Sequence, residues 1–182
     1  IKGASESDVI SIFSRLNSFS LPLNTQEKRN SLYAGEIKSL IYEIASEYNT
    51  FWTEFKILSP NMIARMADAS LVSDIIYTLL YGIKSSSSPA VDRMYSEFDN
   101  DFPQKNEIYK NFNSVVTVLG NFFESTYIRN VFKPKFMFYS LFLVVYEKLY
   151  GFTEQNGNKT GSVNIEKSIE ILDAFCIRYT RS

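Results

Sequence analysis

The sequence contains no histidine and only one cysteine, Cys176. Without histidine, the chain cannot form Ser-His-Asp or Cys-His nucleophile systems, imidazole general bases or histidine metal ligands. A single cysteine can form neither an internal disulfide nor a cysteine-rich zinc site, and it suits the cytoplasmic location that we expect. Cys176 falls in an apolar helical pattern, which predicts a buried thiol. We therefore expect this chain to hold no metal and no cofactor.

The sequence also lacks an excess of charge of either sign, since 19 basic and 20 acidic residues give a net charge of −1. A free-standing nucleic-acid-binding domain usually has a basic excess or a basic face. The apolar run from Phe136 to Tyr146 is well short of the roughly 20 residues that a membrane span needs. We expect no membrane partner. No methionine or signal-like segment begins the chain, and we expect a fragment of a longer protein.

Hydrophobic residues make up 45% of the chain and aromatic residues 15%, which is enough to bury a sizeable core without disulfides or metals. Apolar residues recur at helical spacing through most of the sequence, and no segment has the pattern of a strand. The sequence therefore predicts an all-α protein, an irregular bundle of about six to eight helices, given usual helix lengths. We expect a single helical domain over residues 1–182.

The predicted helices are separated by turns rich in glycine, proline, serine and asparagine. Gly35 interrupts the second helix and marks a close contact or a kink. The helix around residues 134–150 is apolar on all sides, which predicts a central position. The predicted helices cover residues 6–16, 24–49, 61–83 (as one helix or two), 92–98, 106–129, 134–150 and the segment from 165. In the last of these helices, the side chains expected to face the core are Ile165, Ile169, Leu172, Phe175, Cys176 and Tyr179.

Three patterns approach a ligand site without completing it. Glu97, Asp99 and Asp101 are spaced like the start of a calcium loop, but the required glycine and bidentate glutamate are missing, so we expect solvent-facing turn residues. Residues 156–161 lack the glycine that precedes the lysine of a phosphate-binding loop, which favours a flexible connection. Two lysines flank Pro134, too few to predict a nucleic-acid site.

The polar stretch of residues 13–30 carries more side-chain chemistry than a turn requires. Asn24 and Glu27 have the spacing of a capping box at a helix start, which is a structural role. Gln26 and Arg29 are three residues apart and share a face of that helix. An arginine near a helix N-terminus suits an anion or phosphate site. The residues leave open whether Arg29 binds phosphate or pairs with a neighbouring carboxylate.

This polar stretch resembles the second signature of the ParB-like restriction family typified by the GmrS/GmrD enzymes, also known as domain-of-unknown-function family 262. The family pattern is approximately F-x-R-L-N-[ST]-G-G-x-x-L-[NT]-x-Q-E-x-R-N. Phe19 and Ser20 depart from it, where the family often has two glycines. A looser similarity continues at residues 65–68. The matching residues are Phe13, Arg15, Leu16, Asn17, Ser18, Leu23, Asn24, Gln26, Glu27, Arg29 and Asn30.

The resemblance implies the helical portion of a bacterial DNA-defence protein similar to nucleotide-dependent, modification-directed restriction enzymes. The family's D-G-Q-Q-R motif, which is linked to nucleotide hydrolysis, does not occur in this sequence. The chain would then lie downstream of a missing N-terminal half, with that half and DNA as its partners. The full-length protein would use a nucleoside triphosphate with Mg²⁺. Arg15, Asn17, Gln26 and Arg29 would help to form a nucleotide or DNA site, although this chain alone would not be an enzyme.

The alternative is a self-contained helical protein-interaction or scaffold domain without catalysis, in which the polar stretch is only a capped helix turn. The two hypotheses predict different surfaces around that stretch. A domain that completes a missing half should expose an apolar face larger than the few hundred Å² usual on a monomer. A self-contained domain should be polar there.

Overall fold

The computed structural model describes residues 22–152 and 162–180. These residues form ten α-helices and no strand, so the all-α prediction is confirmed and the helices slightly outnumber the predicted range. In chain order they are α1 Thr25–Leu32, α2 Glu36–Glu47, α3 Asn49–Glu54, α4 Pro60–Ile63, α5 Ala67–Tyr81, α6 Ser88–Glu97, α7 Lys105–Phe123, α8 Thr126–Phe132, α9 Lys135–Leu149 and α10 Ile165–Tyr179. The helix predicted at residues 6–16 lies outside the described residues, as does the connection at residues 156–161.

The additional helices arise because local capping and backbone features divide longer apolar patterns. Met66 adopts a left-handed conformation, with φ 58°, and separates α4 from α5. The predicted helix over residues 106–129 is divided at Ser125, which begins α8 by accepting a hydrogen bond from the N–H of Ile128. The Ser125 hydroxyl also donates to Asp173 of α10. Hydrophobic periodicity does not register such caps, because it records only which residues are apolar.

The structure shows a close contact at Gly35, which is one of the two alternatives that the sequence left open. Its N–H donates to Asp99 Oδ1 over 2.7 Å, and the N–H of Glu36 donates to the Asp99 carbonyl over 2.8 Å. A Cβ atom at Gly35 would lie 1.6 Å from that carbonyl oxygen, so only glycine fits. Asp99 therefore anchors the start of α2, and the expectation of a solvent-facing turn residue is corrected.

The core is built around aromatic side chains of α9, as its apolar sequence predicted. Phe138 lies 5.6 Å from Trp52, centroid to centroid, and Phe142 lies 4.7 Å from Phe112. All four side chains are fully buried, and α9 packs against α5, α7 and α8. Aromatic pairs of this kind contribute about 0.5–1.5 kcal/mol each beyond the area they bury. Cys176 is also fully buried, which confirms the predicted core thiol.

The inward face predicted for α10 is wrong at two positions. Phe175 and Tyr179 are 52% and 61% exposed and stack on each other at 6.1 Å. The reason is that α10 lies at the edge of the bundle, where it packs mainly against α8 and α7. An amphipathic sequence cannot distinguish a helix covered on one side from one covered on two. No helix among the described residues is both long enough and apolar enough to cross a membrane.

Replacing Gly35 with alanine should lower the free energy of unfolding by about 3 kcal/mol, because the new Cβ overlaps backbone rather than a flexible side chain. Gly120 is the matched control, since it lies inside α7 and an added Cβ would have no atom within 4 Å beyond its chain neighbours and the backbone of its own helix. Gly120→Ala should stabilise the protein by about 0.5–1 kcal/mol. Urea denaturation followed by circular dichroism measures both, and equal effects of the two changes would contradict the close contact.

Candidate functional site

The start of α1 is fixed by the capping box that the sequence predicted. The Asn24 side chain accepts from the N–H of Glu27 over 2.9 Å, and Glu27 Oε2 accepts from the N–H of Asn24 over 2.7 Å. Arg65, which precedes α5, extends this box across the fold. Its Nε and Nη2 donate to the two Glu27 carboxylate oxygens over 2.6 and 3.0 Å. The Arg65 carbonyl accepts from Asn24 Nδ2 over 2.8 Å, so α1 begins against the α4–α5 connection.

Arg29 is 5% exposed, and its guanidinium joins α1 to α6. Nε donates to Asp92 Oδ1 over 2.7 Å and Nη2 to the Ser88 carbonyl over 3.1 Å. Nη1 donates to Gln26 within α1 over 3.3 Å, and the guanidinium carbon lies 5.8 Å from the Tyr95 ring centroid. The sequence left two roles open for Arg29, and the structure shows the pairing with a carboxylate, that of Asp92.

Gln26, which is 3% exposed, begins a buried chain of hydrogen bonds through α6 to α5. Its Nε2 donates to the Tyr95 hydroxyl over 2.8 Å, and that hydroxyl lies 2.9 Å from Ser73 Oγ. Ser73 donates in turn to the Ala69 carbonyl over 2.6 Å. Burial raises the pKa of Tyr95, so its hydroxyl stays protonated and can both donate and accept. Gln26 therefore holds α1 to the two helices beneath it.

These polar contacts replace hydrophobic burial for α1. The only buried side chains of this helix are Gln26 and Arg29. Leu32 at the end of the helix is 75% exposed, and Leu23 just before the helix is 57% exposed. The described surface of α1 thus presents one leucine at each end rather than a broad apolar face. This surface is closer to the polar one expected of a self-contained domain.

A pocket of about 430 Å³ opens beside the capping box. Its charged lining residues are Arg65 and Lys135, and its polar lining includes Thr25, Asn61 and Ser70. Arg65 is already paired with Glu27, whereas Lys135 at the start of α9 lies 3.9 Å from Asp74 Oδ2. Lys135 therefore keeps donor capacity for a further partner, and the pocket suits a small polar or anionic group.

Lys135 also lines a second pocket, of about 570 Å³, together with Asp74, Phe136 and Tyr139. Burial raises the pKa of Asp74, while Lys135 opposes that shift. Lys135 thus lies between two pockets, one of which contains its acidic partner. The described residues contain no group of three or more acidic, cysteine or histidine side chains that could hold a metal ion.

The sequence identified only part of this site. Arg15 and Asn17 lie outside the described residues, so the structure does not place them. The looser family similarity at residues 65–68 pointed to Arg65. No sequence pattern linked Lys135 or Asp74 to the site. Comparison of the chain with protein-family profiles, curated proteins and solved structures gives no match. The family resemblance therefore rests on the residues of the polar stretch.

Replacing Arg29 with alanine should lower the free energy of unfolding by about 2–3 kcal/mol, because a charged donor lost from a buried network costs about that much. Arg93→Ala is the matched control, since Arg93 lies on α6 beside Asp92 but is exposed. It should change stability by less than about 0.5 kcal/mol. Urea denaturation compares the two, and a similarly small effect at Arg29 would contradict its anchoring role.

Stability should fall in acid through Glu27. Hydrogen bonds from Arg65, and then from the N–H of Asn24, lower the pKa of Glu27 below its ordinary 4.5. A carboxylate with a lowered folded-state pKa stabilises the fold above its unfolded-state pKa, and that contribution is lost as pH falls through the folded-state value. We expect unfolding free energy to decrease below about pH 4.5.

The control is Glu27→Gln, which should show a weaker acid-side decrease. Asp74 contributes with the opposite sign because burial raises its pKa, but it is present in both proteins and cancels in the difference. Urea denaturation at several pH values gives the two profiles. Parallel profiles would exclude a contribution from the Glu27 ion pair.

Proposed function

We propose that this chain is the helical portion of a DNA-defence protein similar to the nucleotide-dependent, modification-directed restriction enzymes. It would help to complete or support a nucleotide or DNA site on an N-terminal half. The full-length protein would act in the cytoplasm with a nucleoside triphosphate and Mg²⁺, and this chain alone would not be catalytic. The observation that carries the proposal is the pocket beside the capping box, where basic and neutral polar groups line the surface next to the family-like stretch.

Under this proposal the residues of the stretch divide into two roles. Gln26 and Arg29 are buried and hold α1 in place. The groups available to a phosphate or a nucleic-acid strand are those of the pocket wall, above all Lys135 and the Thr25 hydroxyl. Arg15 and Asn17 would contribute to the nucleotide or DNA site, as the family resemblance implies. Arg29 would thus act on the ligand only through the position it gives to α1, whereas Gln26 also lines the pocket.

A second candidate function is a scaffold or interaction domain without catalysis. Two observations favour it. The guanidinium of Arg29 donates its hydrogen bonds to groups within the protein. The edge helix α10 exposes apolar side chains. Those exposed side chains are Ile171, Phe175 and Tyr179. In this case the pocket beside the capping box would have no ligand.

Turnover of nucleotide by the full-length natural protein, with and without DNA, separates the two functions. Lys135→Gln should lower kcat/KM about tenfold or more, the expected effect of losing one charge-assisted hydrogen bond. Thermal stability should be nearly unchanged, because the existing contact with Asp74 is long at 3.9 Å.

The matched control is Lys110→Gln, which makes the same chemical change at an exposed position of α7. It should leave turnover unchanged. If Lys135→Gln behaves like this control, the pocket does not contribute to the site, and the scaffold function is the better account. Arg29→Ala is unsuitable here, because it disturbs the fold as well as the pocket.

A further inference from the structure

A third cleft, which is basic, lies between the end of α3 and helix α8. It has a volume of about 280 Å³. Three cations line it: Lys56 follows α3, Arg129 lies in the last turn of α8, and Lys133 follows that helix. The sequence showed only a pair of lysines around Pro134, and the fold adds Lys56 and Arg129 from other positions in the chain. The remaining lining residues are Glu54, Phe55, Thr126 and Asn130.

The cations of this cleft have no carboxylate partner within the part of the chain that the structure describes. Among the described residues, none of the three forms an ion pair. Arg129 Nη2 donates to the Thr126 hydroxyl over 3.3 Å, and Lys133 Nζ to Asn130 Oδ1 over 3.4 Å. These contacts are long and neutral. With three basic side chains and one acidic side chain, the cleft has an excess of two positive charges, in a protein whose net charge is −1.

A structural explanation accounts for part of this arrangement. Cations near helix C-termini are stabilised by the helix dipole, and all three lie at such ends. That explanation does not account for their convergence on one cleft. It also leaves the residue at position 56 unexplained, because Lys56 adopts φ 57°, a left-handed conformation that usually carries glycine after a helix. Glycine would be less strained at this position, so the lysine adds a positive charge to the cleft at a cost in backbone strain.

We propose that this cleft binds phosphate oxyanions. Ammonium and guanidinium groups pair strongly with phosphate, and the Thr126 hydroxyl and Asn130 amide add neutral donors. The phosphates would come from a DNA backbone or from a free nucleotide, and the chemistry of the cleft is the same for both. The proposal does not depend on the proposed function, because it concerns other residues and can be tested on this chain alone.

The first test is a double variant, Arg129→Gln with Lys133→Gln, in the 182-residue chain. Fluorescence anisotropy of a labelled mixed-sequence DNA duplex gives the affinity at several salt concentrations. If both cations contact phosphate, affinity should fall about tenfold, and the slope of log K against log salt should shrink by about 0.9 per lost contact. The matched control is Lys110→Gln with Lys167→Gln, which removes the same charge from exposed positions of α7 and α10. It should leave the slope nearly unchanged.

A second variant, Lys56→Gly, separates binding from folding. Glycine relieves the left-handed backbone, so the melting temperature should stay constant or rise while affinity falls. Calorimetric titration with ATP and with inorganic phosphate then identifies the source of the phosphate. Binding of ATP with the same dependence on the variants indicates a nucleotide, whereas binding of duplex alone indicates the DNA backbone.

The proposal is overturned if neither DNA nor ATP nor phosphate binds, or if all the cleft variants bind as the controls do. The cations would then serve only the helix ends. Either result is independent of the turnover assay with Lys135→Gln, which concerns another pocket and the full-length protein.

Discussion

The buried guanidinium of Arg29 is the interaction on which the placement of the candidate site depends. A helix as short as α1 is not stable in water by itself, since isolated helices below about 12–15 residues are marginal. Tertiary contacts must therefore hold it, yet it buries no apolar side chain. Arg29, Gln26 and the capping box supply those contacts through charged and neutral hydrogen bonds. Charge-assisted bonds of this kind contribute about 1.5–3 kcal/mol each.

Helices α1 and α2, which lie on either side of Gly35, are both hydrogen-bonded to α6 or to the turn that follows it. Asp92 and Ser88 accept from Arg29 of α1, and Asp99 accepts from the backbone at the start of α2. The first contacts are made by a long side chain and the second by main chain against a glycine. The chain can therefore change direction between α1 and α2 while both helices remain fixed to one support. The paired aromatic rings of the core come from α3, α7 and α9, and none of them belongs to α1.

Much of the fold could be predicted because it follows from local patterns. The all-α class, the capping box, the buried Cys176 and the central α9 each depend on composition or on spacing within one segment. The errors occurred where a distant partner decides the outcome. Phe175 and Tyr179 are exposed because no helix among the described residues covers them. The partner of Arg29 stayed open in the sequence because Asp92 is 63 residues away. The convergence of Lys56 with Arg129 required the fold, since nothing in the sequence links α3 to α8.

Polar anchoring has a consequence for the register of α1. A helix held by an apolar stripe can rotate or slide slightly while keeping most of its burial, because hydrophobic attraction has little directionality. A helix held by a guanidinium, an amide and a carboxylate cannot, because each hydrogen bond requires a particular angle and distance. The polar residues of this stretch therefore fix the position of α1, in addition to any chemical role they have. A chain with the same polar residues, and with partners equivalent to Asp92, Tyr95 and Arg65, would hold the first turn of this helix in the same position.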